Sequence, residues 1–292
     1  MTKTAHLILA AILPMIAVSA NAATLKTVAV NTVTLTPSTP NTDNQSGIAY
    51  DPTLGLYYGG NAGSAYYNGF TWDANGVQQS VNQQGIDVRG IWYNPNTGNV
   101  ETNTYGSSLV TVDRGASGEW AGSGTFVRSL PGAASSQSVM DYDSGRNVLY
   151  SRSNSNVVNV IDYATGATSS TITLAGMLAG SASQSIGYVS SLDALLTFSS
   201  DDSLAQVFNM SGTLIGSVSV SGFGSVGAFG MAYENGLLFL YDRGSDAWNG
   251  YDITDGDDSD DLNVVPLPAS GLLLMGAFAA FGVRFRRQRR ET

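Results

Sequence analysis

The chain contains no cysteine and only one histidine, His6. Without cysteine there is no disulfide bond and no thiol nucleophile, so the stability of the fold must come from a buried core. Beyond position 6 the chain also lacks the residue that most general acid–base sites, Ser-His-Asp triads and zinc sites use. Aspartate and glutamate are therefore the catalytic groups that remain.

Positive charge is scarce as well. Between Ala23 and Val264 the chain has 22 acidic residues against seven basic ones, a net charge of −15. A field of that sign repels phosphate backbones, so we expect no nucleic-acid partner. The chain has 34 glycines and only 12% charged residues, a composition that favours strands and turns over helices.

The amino terminus has the pattern of a secretory signal peptide. Lys3 supplies positive charge, Leu7–Val18 is apolar, and Ala20 and Ala22 form an A-x-A cleavage site. An uncleaved anchor is the alternative, but twelve apolar residues are short for crossing a bilayer. The pattern predicts cleavage after Ala22 and export across the inner membrane.

The carboxyl terminus combines three features. Residues 264–283 form an uncharged run of 20 residues, about the length that a membrane-spanning helix needs. The run begins with the motif Val265, Pro266, Leu267, Pro268, Ala269 and Ser270, and it ends in a basic cluster of Arg284, Arg286, Arg287, Arg289 and Arg290. Because arginine near a membrane segment stays on the cytoplasmic side, the cluster predicts that everything before Val264 lies outside.

This tail resembles the PEP-CTERM class of bacterial sorting tails, in the variant with Leu267 where the prototype has glutamate. The resemblance implies processing by an exosortase, after delivery by the secretion machinery, and association with exopolysaccharide. It implies a membrane-anchored precursor that ends at the cell surface or in the extracellular matrix. The prolines keep the motif extended and accessible to a protease. A plain single-pass anchor is the alternative.

A repeat organises the body of the chain. Five segments each consist of an apolar strand that ends in tyrosine, a turn and a second apolar strand, which is a β-hairpin signature. The tyrosines are Tyr50, Tyr93, Tyr142, Tyr188 and Tyr233. Repeats of 43 to 49 residues with four strands each are typical of propeller blades, whereas a sandwich or a β-solenoid is the alternative.

The last repeat lacks a fourth strand, and Leu25–Leu35 is an orphan strand before the first repeat. Placing the orphan strand in the last blade predicts an all-β, five-bladed propeller with protected edges. The predicted organisation is a signal peptide at 1–22, the propeller at 23–254, an acidic linker at 255–263 and the sorting tail at 264–292. We expect the repeated tyrosines to pack between blades rather than to bind a ligand.

Four carboxylates lie beside the hairpins: Asp51, Asp141, Asp143 and Glu234. A propeller could present them around its channel as the acids of a glycosidase. The alternative, which the sequence favours, is that Asp51 and Asp143 only cap turns. Three arginines are either ion-pair partners or ligands for an acidic sugar, namely Arg89, Arg146 and Arg152.

The acidic linker contains Asp255, Asp257 and Asp258, oxygen ligands of the kind that Ca²⁺ prefers. The run lacks the glycine and the final glutamate of a calcium loop, so a solvated linker is the favoured interpretation. We therefore expect no catalytic residue, no metal and no cofactor. The sequence predicts a non-enzymatic exported protein that binds polysaccharide or other surface proteins, with a carbohydrate-active enzyme as the alternative.

Overall fold

The computed structural model describes residues 24–40, 44–180 and 182–255. Within these ranges the chain forms twenty strands and one short 3-10 turn, Ser190–Leu192. The prediction of an all-β body is confirmed. The predicted signal peptide and sorting tail lie outside the described residues, as do Asp257 and Asp258 of the linker.

Three of the sheets are antiparallel and four-stranded, with each strand paired to the next along the chain. The first contains β2 (Gln45–Asp51), β3 (Leu56–Asn61), β4 (Asn68–Asp73) and β5 (Gln78–Gln83). The second contains β6 (Val88–Asn94), β7 (Asn99–Thr104), β8 (Ser108–Arg114) and β9 (Trp120–Ser129). The third contains β10 (Asp141–Asp143), β11 (Val148–Arg152), β12 (Val157–Asp162) and β13 (Thr168–Thr173).

The fourth sheet has eight strands, because two four-stranded units meet at β1 (Thr24–Leu35). One unit contains β14 (Gly187–Val189), β15 (Ala194–Ser199), β16 (Leu204–Asn209) and β17 (Leu214–Ser219). The other contains β18 (Val226–Glu234), β19 (Leu237–Asp242), β20 (Ala247–Asp255) and β1 itself.

The strand β1 belongs mainly to the last unit. It pairs antiparallel with β20 through seven residue pairs, whereas its parallel pairing with β17 is limited to Val28 and Ser219. Leu35 is fully buried at its end, and Lys26 forms an ion pair with Asp252 of β20. The orphan strand therefore lies beside β20, as predicted, and covers an edge that would otherwise be open. The sheets differ from the predicted five separate blades, because β1 also joins the last two units into one sheet.

The five four-stranded units pack against one another in chain order, and their first strands lie side by side, with β18 returning to β2. A separate apolar cluster fills each of the five junctions. The four tryptophans, Trp72, Trp92, Trp120 and Trp248, are all buried in these clusters. This radial arrangement is propeller-like, and burial of the junctions supplies the core that a chain without disulfides requires.

Glycine permits close approach of neighbouring units where the first strands meet. A Cβ on Gly90 of β6 would lie 2.4 Å from the carbonyl oxygen of Met140, just before β10. Backbone atoms cannot move aside to relieve such a close contact, whereas a flexible side chain can. Any side chain at position 90 would therefore push the second and third units apart.

Candidate functional site

The five repeated tyrosines line one cavity of about 210 Å³. Each stands near the end of the first strand of its unit, so the repeat brings the five side chains to the same end of the molecule. Tyr142 and Tyr233 are buried, and the other three are half-buried. We expected packing residues, and the rings do pack, but their exposed parts form the wall of a pocket. We call this pocket the tyrosine cavity.

The tyrosine cavity is blind. Below it the channel narrows to a void of about 10 Å³, which Asp141 and Tyr233 also line. Its other lining residues are mainly apolar, and each unit contributes them from its first strand or from the residues just before it. A void of that size holds one water molecule at most. The apolar side chains of this floor are Ile48, Ile91, Val139, Met140, Ile186 and Met231.

Two of the four predicted carboxylates face this cavity. Asp141 begins β10, directly before Tyr142, and Glu234 ends β18, directly after Tyr233. The Asp141 carboxylate accepts hydrogen bonds from the backbone N–H groups of Tyr142 and Tyr188, both at 2.7 Å. Glu234 accepts the backbone N–H groups of Tyr50 and Tyr93. Asp141 thus joins its own strand to β14, and Glu234 joins the first strands of two other units.

Burial dominates the electrostatics of these two acids. It raises the pKa of Asp141 to about 7 against the lowering effect of its two N–H donors, and the charge of Asp143 adds to the rise. Burial also raises the pKa of Glu234 well above its usual range, and the nearby Asp141 charge raises it further. Both acids therefore hold their protons to a higher pH than exposed carboxyls do.

The rest of the cavity wall is aromatic or neutral. Trp92, Pro52 and Pro95 contribute apolar surface, and Ser144, Ser190 and Asn235 contribute polar groups. Among the described lining residues there is no lysine or arginine. The cavity therefore combines flat aromatic faces, hydrogen-bonding groups and a proton-bearing pair of carboxyls.

The other two predicted carboxylates lie in turns. The Asp51 carboxylate accepts the N–H of Thr53 at 2.8 Å and forms an ion pair with Arg114. Asp143 accepts the N–H groups of Gly145 and Arg146, at 2.9 and 3.0 Å, and pairs with the Arg146 guanidinium. These acids serve the local backbone and ion pairs, and neither lines the tyrosine cavity.

Loop length explains why Glu234 differs from Asp51 and Asp143. Four-residue loops follow Asp51 and Asp143, and the N–H groups of those loops reach back to the carboxylates. After Glu234 the loop has only two residues, Asn235 and Gly236, with φ of 51° and 74°. This Asn-Gly hairpin turn needs no acidic cap, and the Glu234 carboxylate meets backbone of other units instead.

None of the three arginines Arg89, Arg146 and Arg152 lines the tyrosine cavity, although Arg146 donates to the hydroxyl of Tyr188 at 3.2 Å. Arg89 pairs with Asp87, and Arg146 pairs with both Asp143 and Asp193. Arg152 is buried and has no carboxylate partner among the described residues. In the described part of the chain there is no group of three potential metal-ligating residues, and Asp255 ends β20. None of the described helical segments is long and apolar enough to cross a membrane.

No protein family matches the sequence, and no curated protein does. Among solved structures, the glutaminyl cyclase of Myxococcus xanthus is similar with a TM-score of 0.54 and 11% identity, over 80% of this chain and 100% of that one. The β-propeller domain of Cps50 (Swd1) from Myceliophteria thermophila has a TM-score of 0.39 and 11% identity, over 72% of this chain and 82% of that one.

These comparisons correct one prediction. We predicted that the protein is not an enzyme, and the finding that contradicts this prediction is that a protein of similar fold, the Myxococcus xanthus glutaminyl cyclase, is an enzyme. At 11% identity the likeness shows the fold and says nothing of the reaction. The reaction has to be argued from the tyrosine cavity itself.

Proposed function

We propose that the body is a five-bladed propeller that works as an acid–base enzyme, with its active site in the tyrosine cavity. The five four-stranded units are the blades, and β1 closes the ring by completing the last blade. The observation that carries the enzymatic proposal is the pair of Asp141 and Glu234, two interacting carboxyls of raised pKa in one blind pocket. Paired acids in a poorly solvated site are how proteins run acid and base chemistry at neutral pH.

Hydrolysis at a sugar residue is the reaction that we favour. The protonated carboxyl of the pair gives its proton to the leaving oxygen, and the ionised carboxyl activates water or attacks the sugar carbon. Tyrosine and tryptophan faces suit the apolar face of a sugar ring. Serine and asparagine groups at the wall suit its hydroxyls.

The size and charge of the cavity limit the kinds of substrate that it can bind. A volume of about 210 Å³ is below the range of about 300–1,000 Å³ for pockets that hold drug-sized ligands. The blind floor admits a chain end and not the middle of a chain. Because the described lining offers no cation to an acidic group, we propose a neutral sugar at the end of a polysaccharide.

A second candidate reaction is the cyclisation of an amino-terminal glutamine. The observation that favours this reaction is that Asp141 and Glu234 lie in a cavity whose described lining has no lysine or arginine. Such a pair of acids attracts the α-ammonium group of a peptide. The ionised carboxyl takes a proton from that ammonium, the amine attacks the side-chain amide carbon, and the proton passes to the departing ammonia. The substrate residue is small enough for the cavity.

The experiment assays the purified protein against aryl glycosides of neutral sugars, oligosaccharides and a glutaminyl peptide. We expect turnover in one of these sets, and a loss of at least about 100-fold in Glu234→Gln and Asp141→Asn. Asp201→Asn, which changes an exposed acid in a loop, is the matched control and should keep full activity. Absence of turnover in all sets, or activity that survives both substitutions, contradicts the proposal.

We also propose that the protein is exported and sorted through its termini. The signal pattern at 1–22 and the PEP-CTERM-like tail at 264–292 support this proposal, and both rest on the sequence. The expected partners are the secretion machinery, an exosortase and surface polysaccharide. Mass spectrometry of the native protein should find a start near Ala23 and an end near the Val265–Ser270 motif. An intact chain in the cytosol would contradict export.

A further inference from the structure

The most deeply buried cation that lacks an acid lies far from the tyrosine cavity. Arg152 is 3% exposed at the end of β11. Because β11 starts at the hairpin beside Asp143, Arg152 lies at the opposite end of its sheet from the five tyrosines. In contrast, the described arginines Arg89, Arg114 and Arg146 each bind at least one aspartate.

The partners of the Arg152 guanidinium are all neutral. Its Nε donates to the carbonyl oxygen of Ser185 at 2.9 Å, and Nη2 donates to that of Ala182 at 2.7 Å. Nη1 has only long contacts, 3.4 Å to the Ser155 carbonyl oxygen and 3.5 Å to the Met177 sulfur. A guanidinium has five N–H donors, so this network leaves part of its donor capacity unused and its charge uncompensated.

Burial without an opposite charge is costly for a cation. It lowers the pKa of Arg152 to about 10, and no neighbouring acid among the described residues offsets this effect. The body around it carries an excess of acids, yet none of the described ones is placed here. Burial of the Arg152 cation at this position is unfavourable unless an anion binds beside it.

Arg152 lines a cavity of about 90 Å³. The other lining residues include three with polar side chains, Asn154, Ser183 and Thr197, together with Met177, Leu178, Ala179, Gly180 and Phe198. This volume suits a group of a few heavy atoms and excludes a sugar ring. We propose that this cavity binds a small oxyanion, with Arg152 as the charged donor and the neighbouring hydroxyl and amide groups as neutral donors.

The site also has a structural consequence. Arg152 holds the segment that contains Ala182 and Ser185, and the backbone of that segment bonds to Gly227 and Ala228 of β18. An oxyanion on Arg152 therefore stabilises a junction that links the third, fourth and fifth units. Binding should raise the melting temperature, since a ligand that prefers the folded state stabilises it.

The test titrates the full-length protein with sodium sulfate, phosphate and acetate, against sodium chloride at equal ionic strength. We expect a saturable rise in melting temperature with at least one oxyanion, and a heat of binding by calorimetry. Arg152→Met removes the charge and should weaken binding at least about tenfold, as expected for loss of a charged hydrogen-bond donor. Arg128→Met, which removes the same charge elsewhere, should bind as the wild type does.

A second variant keeps the test decisive if Arg152→Met fails to fold. Asn154 lines the cavity with φ of 42°, a conformation that aspartate also tolerates. Asn154→Asp supplies an internal carboxylate, so it should weaken oxyanion binding and raise the melting temperature in oxyanion-free buffer. Asn75→Asp, in an exposed turn, is the control of equal charge. Equal oxyanion responses in the wild type and Asn154→Asp, or no specific response in the wild type, would overturn the proposal.

Discussion

Replacing Asp141 by asparagine should remove one of the two main contributions to the pH dependence of stability between pH 4 and pH 8. The pKa of this buried carboxyl is raised from 3.8 to about 7. Over that interval the unfolded chain loses its proton first while the folded protein keeps it. The folded state thus binds more protons than the unfolded state, and the free energy of unfolding falls as pH rises.

The magnitude follows from the two pKa values. At about 1.4 kcal/mol per pKa unit, Asp141 alone should lower the wild-type free energy of unfolding by about 4 kcal/mol between pH 4 and pH 8. The free energy of unfolding largely stops falling once the pH is above the pKa of Asp141 in the folded protein. Glu234 contributes with the same sign, because its pKa is also raised. Lowered carboxyl pKa values, such as that of Asp193, act in the opposite direction but mainly below pH 4.

At low pH the Asp141→Asn variant should have a lower free energy of unfolding than the wild type. Its amide has one acceptor oxygen, whereas the two oxygens of Asp141 each accept a backbone N–H. One buried N–H is then left without its partner, at about 1–3 kcal/mol. We therefore expect the variant to be less stable than the wild type near pH 4 and the difference to shrink or reverse by pH 8.

Urea denaturation followed by tryptophan fluorescence measures these free energies, since all four tryptophans are buried. Asp201→Asn is the control and should retain the wild-type slope with pH. A wild-type stability that is flat or rises from pH 5 to pH 8 would refute the assignment. An unchanged slope in Asp141→Asn would also refute it.

Three further substitutions test the fold and the division between turn acids and cavity acids. Leu35→Ala should lower the free energy of unfolding by about 2–5 kcal/mol, since Leu35 is fully buried. The control Val30→Ala changes an exposed residue of the same strand and should change it by no more than about 0.5 kcal/mol. An equally small effect of Leu35→Ala would contradict the closing role of β1. Gly90→Ala should cost about 1–3 kcal/mol from overpacking against Met140, and a neutral result would contradict the close approach of β6 and β10. Asp51→Asn should destabilise by about 3–5 kcal/mol, because it unpairs Arg114 at a largely buried contact, yet leave the pH profile of activity unchanged.

The sequence was sufficient for the elements of the fold. Alternating apolar residues and turn residues identified the hairpins that end in the repeated tyrosines, and counting strands placed Leu25–Leu35 beside the last repeat. Both inferences use local pattern and the tendency of sheets to protect their edges. The tail and the signal pattern lie outside the described residues and stay predictions.

The site was harder to predict because it depends on contacts between distant segments. Asp141 and Glu234 are 93 positions apart in the chain, and the backbone groups that hold them belong partly to other units. The two-residue Asn-Gly turn after Glu234 separates this acid from Asp51 and Asp143, which cap four-residue loops. No local signal shows which backbone groups of other units Asp141 and Glu234 meet. The sequence feature that could have located the site was the position of the tyrosine in each repeat, because side chains at one repeat position gather at one end of a radial fold.

The most direct test of the account is a carbon-13 NMR titration of the carboxyl groups, in the wild type and in Asp141→Asn and Glu234→Gln. We predict a carboxyl that titrates near pH 7 in the wild type, is absent in Asp141→Asn, and shifts to lower pH in Glu234→Gln if the two groups interact. If every carboxyl titrates below about pH 5, the ordinary range for exposed acids, the proton-sharing pair does not exist and the proposed acid–base site is contradicted.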